Sequence, residues 1–420
     1  RDSGFAAEDE ALTALVMNDP LRASLYAFNL IQKGKKKIEG APKPALGRKV
    51  TRAGVVGAGL MASQLALLIM RNLKVPVAIT DLDQERVDKG ITWINNEIDT
   101  LVSKKRVRPD EAARLKSLLS GSVDKTIFAK CDFIIEAVFE ELSIKQNLFK
   151  ELETIVTPEC ILATNTSSLS VTKMSEGLAN PERVIGFHFF NPVAIMPLLE
   201  IARTEKTDDA TTATAVSVGK DLKKTMVIVK DAPAFVVNRL LMRFMGEITD
   251  SLDEGTPSEI ADSAMDPLGL PMTSFELLGL VGPGVALHVG QSLNGSLGER
   301  YRISPTIERL VKSGVKTFYI KDEKGNQKIN PNAAACLQPG DKPATAEEVR
   351  LRALNALASE ARMMLDEGVI ATAAEIDLCM ILGTGWPLHL GGILPYLDRE
   401  GISEAVTGQR FHQRGVASLP

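Results

Sequence analysis

Apolar positions along the first part of the chain follow two different spacings. A short apolar run, Arg52–Val56, is typical of a buried strand, and apolar residues at helical spacing follow at Leu65, Leu68 and Ile69. A second apolar run, Val75–Thr80, indicates another strand. Strand, helix and strand in this order predict a βαβ unit with parallel strands, and therefore an α/β domain.

Two further strands are predicted near the middle of the chain, over Val184–Phe189 and Leu198–Ala202. Pro192 and Pro197 lie between them and interrupt regular pairing, because proline has no backbone donor. We therefore expect the chain to reverse in this segment, so that the second strand returns beside the first.

After a strand at Thr225–Val229, strand patterns nearly vanish and amphipathic helices take over. A pattern in this part recurs at an offset of roughly 113 to 116 residues, which indicates an internal duplication. The matching pieces are Leu252-Asp253-Glu254-Gly255, Glu259-Ile260-Ala261-Asp262, Met265 and Gly269-Leu270-Pro271 against Leu365-Asp366-Glu367-Gly368, Glu375-Ile376-Asp377, Met380 and Gly385-Trp386-Pro387. We expect the two copies to bury their apolar faces against each other, with a turn or hairpin at residues 319–326 and a linker at 338–343 between them.

A helical pattern also covers residues 10–34, with Asp19 and Pro20 as its N-cap and first helical residue. Leu21, Leu25 and Phe28 form its apolar face, and such a face needs a surface to pack on. The segment is either a terminal helix packed on the rest of this chain or a link to a further domain.

A glycine-rich turn, Gly57-Ala58-Gly59-Leu60-Met61-Ala62, joins the first strand to the first helix. Gly57 allows the tight turn, Gly59 lets the backbone approach a pyrophosphate, and the helix N-terminus offers N–H groups to phosphates. Asp81, after the second strand, suits a ribose 2′-hydroxyl and repels a 2′-phosphate, so the pattern predicts NAD rather than NADP. The expected cofactor contacts here are Gly57, Gly59, Leu60, Met61 and Asp81.

His188 lies on the first of the two middle strands, and the chain reversal would bring Glu200 on the second strand beside it. An imidazole, with an ordinary pKa of about 6.5, accepts a proton from an alcohol near neutral pH, especially where a carboxylate stabilises the imidazolium. The pair is therefore a candidate general base. The alternative is a core histidine satisfied by one backbone partner.

Five motifs occur in a characteristic order: GAGLMA at 57–62, NTSSLS at 165–170, GFHFFNP at 186–192, MPLLE at 196–200 and FVVNRLL at 235–241. The set resembles the L-3-hydroxyacyl-CoA dehydrogenases of fatty-acid β-oxidation, and more narrowly the dehydrogenase part of multifunctional fatty-acid oxidation α subunits. The resemblance implies a Rossmann-like NAD-binding α/β domain followed by a duplicated all-α C-terminal domain. It also implies NAD-dependent oxidation of (S)-3-hydroxyacyl-CoA to 3-oxoacyl-CoA.

The resemblance assigns roles to single positions. His188 matches the catalytic base and Glu200 its carboxylate partner, while Ser167 and Asn238 match residues that hold the substrate oxygen. Asn191 has a weaker individual claim. Two alternatives stay open, since Ser167 could cap a helix beginning near residue 170 and Asn238 could be an inert position in a helix from residue 233.

Further cofactor contacts follow from the same resemblance, namely Glu140, Lys145 and Asn165. Instead of contacting the cofactor, Glu140 could lie at a solvent-exposed helix N-terminus, where acidic residues are favoured. The basic run at residues 104–108 could meet coenzyme A phosphates or be an exposed helix end.

Three departures from the family pattern stand out. Ala62 replaces the third glycine of the turn, which the fingerprint tolerates. Ala234 stands where the family usually has glycine, and Met272-Thr273-Ser274-Phe275 replaces an M-G-P-F sequence. Ala234 adds a methyl group at the expected junction between domains and removes no catalytic group.

Composition excludes several classes of function. The 420 residues are 45% hydrophobic, enough for two or three buried cores, and a net charge of −4 gives no footprint for nucleic acid. No apolar run approaches the roughly 20 residues that cross a bilayer, so no integral membrane segment is expected. The four cysteines are scattered, which favours a reducing compartment and no metal site.

We expect four segments: an N-terminal helix and linker at 1–46, the NAD-binding domain at 47–231, and helical repeats at 232–338 and 339–420. The expected partners are an acyl-CoA substrate, whose chain length the sequence does not define, and a 3-ketoacyl-CoA thiolase subunit in a hetero-oligomer. The resemblance further suggests a fused enoyl-CoA hydratase, in the bacterial cytoplasm or alternatively the mitochondrial matrix. The alternatives are a vestigial nucleotide-binding subunit that docks a thiolase, and a dehydrogenase of free 3-hydroxy acids.

Overall fold

The computed structural model describes residues 2–321, 327–338 and 340–418. Contacts divide the chain into two units. The sheet unit is Gly34–Phe235, and the helical unit is Arg1–Lys33 together with Val236–Pro420. The boundaries expected from the sequence, after residues 46, 231 and 338, stay predictions.

The N-terminal segment forms two helices, α1 (Asp2–Val16) and α2 (Asp19–Lys36), where the sequence pattern predicts one helix over residues 10–34. Asn18, rather than Asp19, caps α2, because its Oδ1 accepts a hydrogen bond from the Leu21 N–H at 3.0 Å. The predicted cap was therefore displaced by one residue.

The apolar face predicted on α2 is largely exposed in this chain, and a different face of the helix is buried. Leu25 and Phe28 are 52% and 55% exposed, whereas Ala23 and Ala27, four residues apart, are fully buried. Ala23 lies against Gly391, where an added Cβ would come within 3.0 Å of the alanine Cβ. Small side chains allow this close helix contact, and hydrophobicity alone does not reveal it.

The sheet unit, all of which the structure describes, is built on one eight-stranded sheet. Its strands are β1 (Ala53–Val56), β2 (Val77–Thr80), β3 (Leu119–Gly121), β4 (Phe133–Glu136), β5 (Ile161–Thr164), β6 (Val184–Phe189), β7 (Leu198–Arg203) and β8 (Thr225–Lys230). The order is β3-β2-β1-β4-β5-β6-β7-β8, and neighbours are parallel except for β6 and β7. β1 pairs with β2 on one side and β4 on the other, so the carboxyl ends of β1 and β4 flank the switch point where such sheets bind ligands.

Burial explains why these strands read as continuous apolar runs. Every residue of β1, β2, β4 and β5 is buried, as expected for parallel strands covered on both faces. β2 begins at Val77 rather than at the predicted Val75, because Pro76 has no N–H, and its carbonyl accepts from the Ala53 N–H. The helices of this unit are α3 (Leu60–Asn72), α4 (Gln84–Ser103), α5 (Pro109–Ser117), α6 (Leu142–Ile155), α7 (Val171–Met174) and α8 (Asp209–Asp221).

The helical unit is dominated by two long helices that pack along each other, α9 (Val237–Glu254) and, in the second repeat, α15 (Ala346–Asp366). The remaining helices are α10 (Ser258–Ser263), α11 (Ser274–Val281), α12 (Pro283–Leu297), α13 (Pro305–Lys312), α14 (Pro331–Ala334), α16 (Ala373–Thr384), α17 (Ile393–Arg399) and α18 (Ile402–Thr407). Strands β9 (Tyr319–Lys321) and β10 (Gln327–Ile329) pair antiparallel where a hairpin was expected. Residues 322–326 of that expected hairpin, and Pro339 of the expected linker, lie outside the described residues.

Two buried aspartates at equivalent places in the predicted duplication make similar contacts. In the first repeat Asp262 accepts hydrogen bonds from the Phe275 N–H at 2.9 Å and from the Tyr319 hydroxyl. In the second repeat Asp377 accepts from the Leu394 N–H at 2.9 Å and from the hydroxyl of a tyrosine on α2 at 3.0 Å. Each aspartate thus joins two helices of its own repeat and receives one tyrosine from outside them.

Candidate active site

The site begins with a histidine and a glutamate on adjacent antiparallel strands. His188 on β6 stands directly opposite Glu200 on β7, so both side chains project from the same face of the sheet. The His188 Nδ1–H donates to Glu200 Oε2 at 2.8 Å. His188 and Glu200 are 3% and 0% exposed to solvent. The predicted proximity of the pair is confirmed, while its role in catalysis stays a prediction.

The carboxylate determines which imidazole nitrogen carries the proton. Glu200 can only accept at its ionised oxygens, so Nδ1 is the protonated nitrogen and Nε2 keeps its lone pair. Within the described part of the chain, no hydrogen bond engages Nε2 of His188. The aromatic rings of Phe190 and Phe235 lie 4.6 Å and 5.6 Å from the imidazole, measured between ring centroids, and they limit its rotation.

Asn165 fixes the end of the strand that carries the histidine. Its side-chain Oδ1 accepts from the Phe189 N–H at 2.9 Å, while its own N–H donates to the Glu136 carbonyl at 2.9 Å. Asn165 therefore ties the carboxyl ends of β4, β5 and β6 together at the predicted ligand edge of the sheet. Its predicted contact with the cofactor remains a prediction.

Glu140 organises the turn that follows β5. Its Oε1 accepts from the Thr166 hydroxyl at 2.5 Å, from the Ser167 N–H at 2.8 Å and from the Ser168 N–H at 3.2 Å. Burial alone would raise the pKa of Glu140, but nearby Lys145 and these donors outweigh it and hold the pKa below its usual value. The charged carboxylate of Glu140 thus fixes the backbone of Ser167. This role was not predicted from the sequence, which indicated a cofactor contact for Glu140.

Lys145 is buried between two carboxylates. Its Nζ lies 2.8 Å and 2.9 Å from the two oxygens of Glu136 and 3.1 Å from Glu140 Oε2. Burial would lower the pKa of Lys145, but the two carboxylates raise it above its ordinary value. Glu136 also receives the hydroxyl of Thr164 and was missed as a site residue. An acid at the carboxyl end of an otherwise apolar strand was the signal that could have found it.

The glycine-rich turn has the geometry that its sequence predicts. Gly57 has φ +112°, and a Cβ there would lie 2.9 Å from the Ala137 carbonyl oxygen and 3.3 Å from Ala62 Cβ. A side chain is excluded at this position. At Gly59 an added Cβ would meet no atom within 4 Å, and α3 begins at the next residue, Leu60. The turn therefore leaves open space in front of a helix N-terminus, which is where a pyrophosphate binds.

Asp81 supports this turn from the end of β2. Its Oδ2 accepts from the Ala58 N–H at 2.7 Å and its Oδ1 from the Leu82 N–H at 2.7 Å. The Arg86 guanidinium lies 3.7 Å from Oδ1. Each carboxylate oxygen has a second lone pair, so the ribose contact predicted for Asp81 remains geometrically open.

The structure decides the alternative for Ser167 and leaves the alternative for Asn238 open. Ser170, not Ser167, caps α7, because its Oγ accepts from the Lys173 N–H and donates to Asp231 Oδ2 at 2.8 Å. The capping alternative for Ser167 is therefore wrong. Asn238 is the second residue of α9, whose helix begins at Val237 rather than near residue 233. It lies in the helical unit, and its contact with the substrate remains a prediction.

Comparison with known protein families assigns both parts of the chain. The model of the 3-hydroxyacyl-CoA dehydrogenase NAD binding domain matches residues 52–232, and that of the C-terminal domain matches residues 235–318. The solved (S)-3-hydroxybutyryl-CoA dehydrogenase PaaH1 from Ralstonia eutropha is 31% identical, with a TM-score of 0.60, over 63% of this chain and 95% of that chain. The chain belongs to the 3-hydroxyacyl-CoA dehydrogenase family.

Longer relatives match nearly the whole chain. The fatty acid oxidation complex subunit alpha of Vibrio vulnificus is 33% identical over 411 residues, which are 96% of this chain and 58% of that protein. The peroxisomal fatty acid beta-oxidation multifunctional protein AIM1 of Arabidopsis thaliana is 32% identical over 418 residues, 95% of this chain and 58% of that protein. The chain thus spans 58% of the length of each of these two relatives.

Membership of this dehydrogenase family confirms the predicted Rossmann-like fold with a helical C-terminal region, and it makes NAD the cofactor of the sheet unit. The residues of the turn fit that cofactor. Gly57 and Gly59 leave the approach for phosphates open, and Asp81 holds the turn, while its contact with the ribose stays a prediction.

The departures from the dehydrogenase family pattern have local structural explanations. Ala234 adopts φ +58°, the left-handed conformation that the usual glycine would adopt without strain, so the backbone path is kept despite the added methyl group. Thr273 caps α11 in a capping box with Glu276, so the segment that departs from M-G-P-F has its own helix start.

Two residues that the sequence did not identify hold the loop after His188. The buried Nζ of Lys224 donates to the carbonyls of Val193 at 2.5 Å and Met196 at 2.7 Å, and burial lowers the pKa of Lys224 to about 8. Gln64, on the cofactor helix α3, accepts from the Val193 N–H at 2.7 Å and donates to Asn191 Oδ1 at 3.3 Å. In this dehydrogenase the loop at 191–197 is therefore fastened from two sides.

In the part of the chain that the structure describes, no helix combines the length and apolarity that a bilayer span requires. The same residues contain no group of three His, Cys, Asp or Glu side chains arranged to hold a metal ion.

Proposed function

We propose that this chain oxidises (S)-3-hydroxyacyl-CoA to 3-oxoacyl-CoA with NAD, as the dehydrogenase component of fatty-acid β-oxidation. One observation carries the proposal, the buried His188–Glu200 pair with 2.8 Å between Nδ1 and Oε2. A general base needs a substrate proton to remove. The C3 alcohol of a 3-hydroxyacyl-CoA provides that proton.

His188 removes the alcohol proton through Nε2. An alcohol proton has a pKa near that of water, about 15.7, so a neutral imidazole cannot remove it in a separate step. Proton transfer must therefore accompany the departure of hydride from C3. NAD, when bound, accepts that hydride. Glu200 holds the imidazole in the required tautomer and stabilises the imidazolium that forms.

Ser167 and Asn238 are proposed to donate hydrogen bonds to the substrate oxygen as its charge develops. The contacts of Glu140 support this role for Ser167, because they hold the backbone of the turn in one conformation. Lys145 keeps Glu140 ionised and is itself anchored by Glu136. The three charged residues position the turn, and we propose that Glu140, Lys145 and Asn165 also line the nicotinamide side of the cofactor site.

The direct test measures NADH oxidation with acetoacetyl-CoA and, in parallel, with free acetoacetate. We expect turnover with the thioester and little with the free acid. Turnover with the free acid alone would assign a free 3-hydroxy acid as substrate. Absence of turnover with both, in folded protein that binds NADH, would leave only a nucleotide-binding subunit and refute the proposed activity.

We further propose that the chain belongs to a longer multifunctional polypeptide that carries an enoyl-CoA hydratase and assembles with a 3-ketoacyl-CoA thiolase in the bacterial cytoplasm. The Arabidopsis relative is a multifunctional protein, the Vibrio relative is a subunit of a complex, and both are longer than this chain, which supports a longer polypeptide and an assembly. Exposed apolar side chains on α1 and α2 offer a surface for such a neighbouring domain, and they include Phe5, Leu12, Leu15, Leu25 and Phe28. Co-purification of a thiolase with the full-length protein is the test, and a hydratase-negative, thiolase-free full-length protein would contradict it.

A further inference from the structure

Two arginines on the two long helices of the helical unit occupy equivalent places in the duplication. Arg239 lies on α9 and Arg352 on α15, at the same offset of roughly 113 residues that relates the repeated sequence pieces. Each arginine reaches across to two glutamates on the other long helix or at its end. The contacts can therefore be compared atom by atom.

Arg239 makes three charged hydrogen bonds to the second repeat. Its Nε donates to Glu360 Oε1 at 2.6 Å, and its Nη1 and Nη2 donate to Glu367 at 2.7 Å and 3.0 Å. The guanidinium is fully buried. A fork of this kind fixes the plane of the arginine as well as its position.

Arg352 makes the same three contacts in the opposite direction. Its Nε donates to Glu247 at 3.2 Å, and its Nη1 and Nη2 donate to Glu254 at 2.5 Å and 3.3 Å. Glu247 and Glu254 stand at that same offset from the two partners of Arg239. Reciprocal contacts of this type define a two-fold interface, here between two repeats of one chain.

The residue before each arginine is different. Asn238 precedes Arg239, whereas Leu351, which is half exposed, precedes Arg352. The duplication has kept the arginine in both repeats and the asparagine in only one. The arginine therefore accompanies the packing of the two repeats, whereas the asparagine is particular to the first repeat.

Arg239, the arginine next to Asn238, is held by further contacts. Arg300 donates to Glu360 Oε2 at 2.9 Å, and the Tyr301 hydroxyl donates to the main-chain carbonyl of Arg239 at 3.0 Å. Both the backbone and the side chain of the residue next to Asn238 are thus fixed. First turns of helices tend to fray, so such anchoring limits the motion of Asn238.

We propose that Arg239, held by the second repeat through Glu360 and Glu367, is a positioning residue that fixes Asn238 for the reaction. The inference rests on the proposed function, in which Asn238 binds the substrate oxygen. It gives the second repeat a part in catalysis without any reactive side chain of its own. Misplacement of a positioned group by about 1 Å can lower the rate by about 100-fold, so a loosened fork is enough to be measured.

The chain offers a matched control for the test. Glu367→Gln and Glu254→Gln each remove one forked carboxylate, and the two glutamate side chains are comparably exposed, at 44% and 33%. We expect Glu367→Gln to lower kcat for acetoacetyl-CoA reduction roughly 10-fold, with the KM for NADH unchanged. Glu254→Gln should stay within about two-fold of wild type, since no substrate-binding residue adjoins Arg352. The unfolding temperature should fall more in Glu367→Gln, because Arg239 is fully buried whereas Arg352 is 34% exposed, so kcat is compared at a temperature where both variants are folded.

Arg239→Lys and Arg352→Lys repeat the comparison with the fork itself removed, since lysine cannot bind a carboxylate at two nitrogens. Arg239→Lys should lower kcat more than Glu367→Gln does, and Arg352→Lys should not lower it. The inference would be overturned if the two glutamine variants lost kcat equally, or if the two lysine variants did. Wild-type kcat in Glu367→Gln would also overturn it. Inactive wild-type protein would instead refute the proposed function, so the two failures are distinguishable.

Discussion

Glu200→Gln isolates the charge of the carboxylate from its shape. Glutamine fits the same buried space, and its amide oxygen can still accept the His188 Nδ1–H that Glu200 accepts at 2.8 Å. What is lost is the negative charge that faces the imidazolium. Hydrogen bonds to charged groups contribute about 1.5–3 kcal/mol and neutral ones about 0.5–1.5 kcal/mol. The transition state therefore loses about 1–2 kcal/mol, which lowers kcat about 5- to 30-fold.

The assay for this variant follows NADH oxidation with acetoacetyl-CoA and determines NADH affinity separately by fluorescence titration. We expect the loss in kcat alone, because Glu200 lies on β7 and not at the glycine-rich turn. Asp377→Asn is a matched control, since Asp377 also accepts from a histidine, His412 Nε2, at 2.8 Å in a buried site of the helical unit. It should lower thermal stability and leave kcat unchanged. Unaltered kcat in Glu200→Gln, or a parallel loss of NADH binding, would refute the reasoning.

Three other predictions concern stability and cofactor choice. Lys223 has φ +62° just after α8, so Lys223→Gly should raise the free energy of unfolding by about 0.5–1 kcal/mol in thermal denaturation, whereas Lys223→Ala, which keeps the Cβ, should not. The pKa of Lys224 is lowered to about 8 from 10.5, so between these pH values the unfolded state binds more protons than the folded state. The stability of wild type relative to Lys224→Gln should therefore rise across this range in denaturant titrations, and a flat difference would contradict the burial of a charged lysine. Asp81→Asn should lower the preference for NADH over NADPH about 10-fold in kcat/KM, because a carboxylate that repels the 2′-phosphate is removed; an unchanged ratio would place the ribose elsewhere.

The parts of the site that were predicted correctly follow from patterns over short stretches of sequence. The His188–Glu200 pairing follows from two apolar strands and the proline-containing segment between them, since a short reversal leaves few alternative registers. Gly57 and Gly59 are defined by the turn itself. Each of these inferences depends on residues close together in the chain, where backbone geometry limits the possibilities.

Contacts between distant segments were not predictable in this way. Gln64 reaches Val193 over 129 residues, and Arg239 reaches Glu360 over 121 residues. The sequence around Gln64 or Arg239 does not indicate which distant residue each one contacts. The buried face of α2 was not predicted for a related reason, because Ala23 packs against Gly391 through close backbone approach rather than through a large hydrophobic area.

The role of His188 as general base is tested most directly by kcat of His188→Gln with acetoacetyl-CoA and NADH, alongside His389→Gln, which alters an exposed histidine of the helical unit. A positioned acid–base group contributes roughly 10²- to 10⁴-fold, so kcat should fall by that factor in His188→Gln and stay at the wild-type value in His389→Gln. Wild-type kcat in a folded His188→Gln protein would contradict the account.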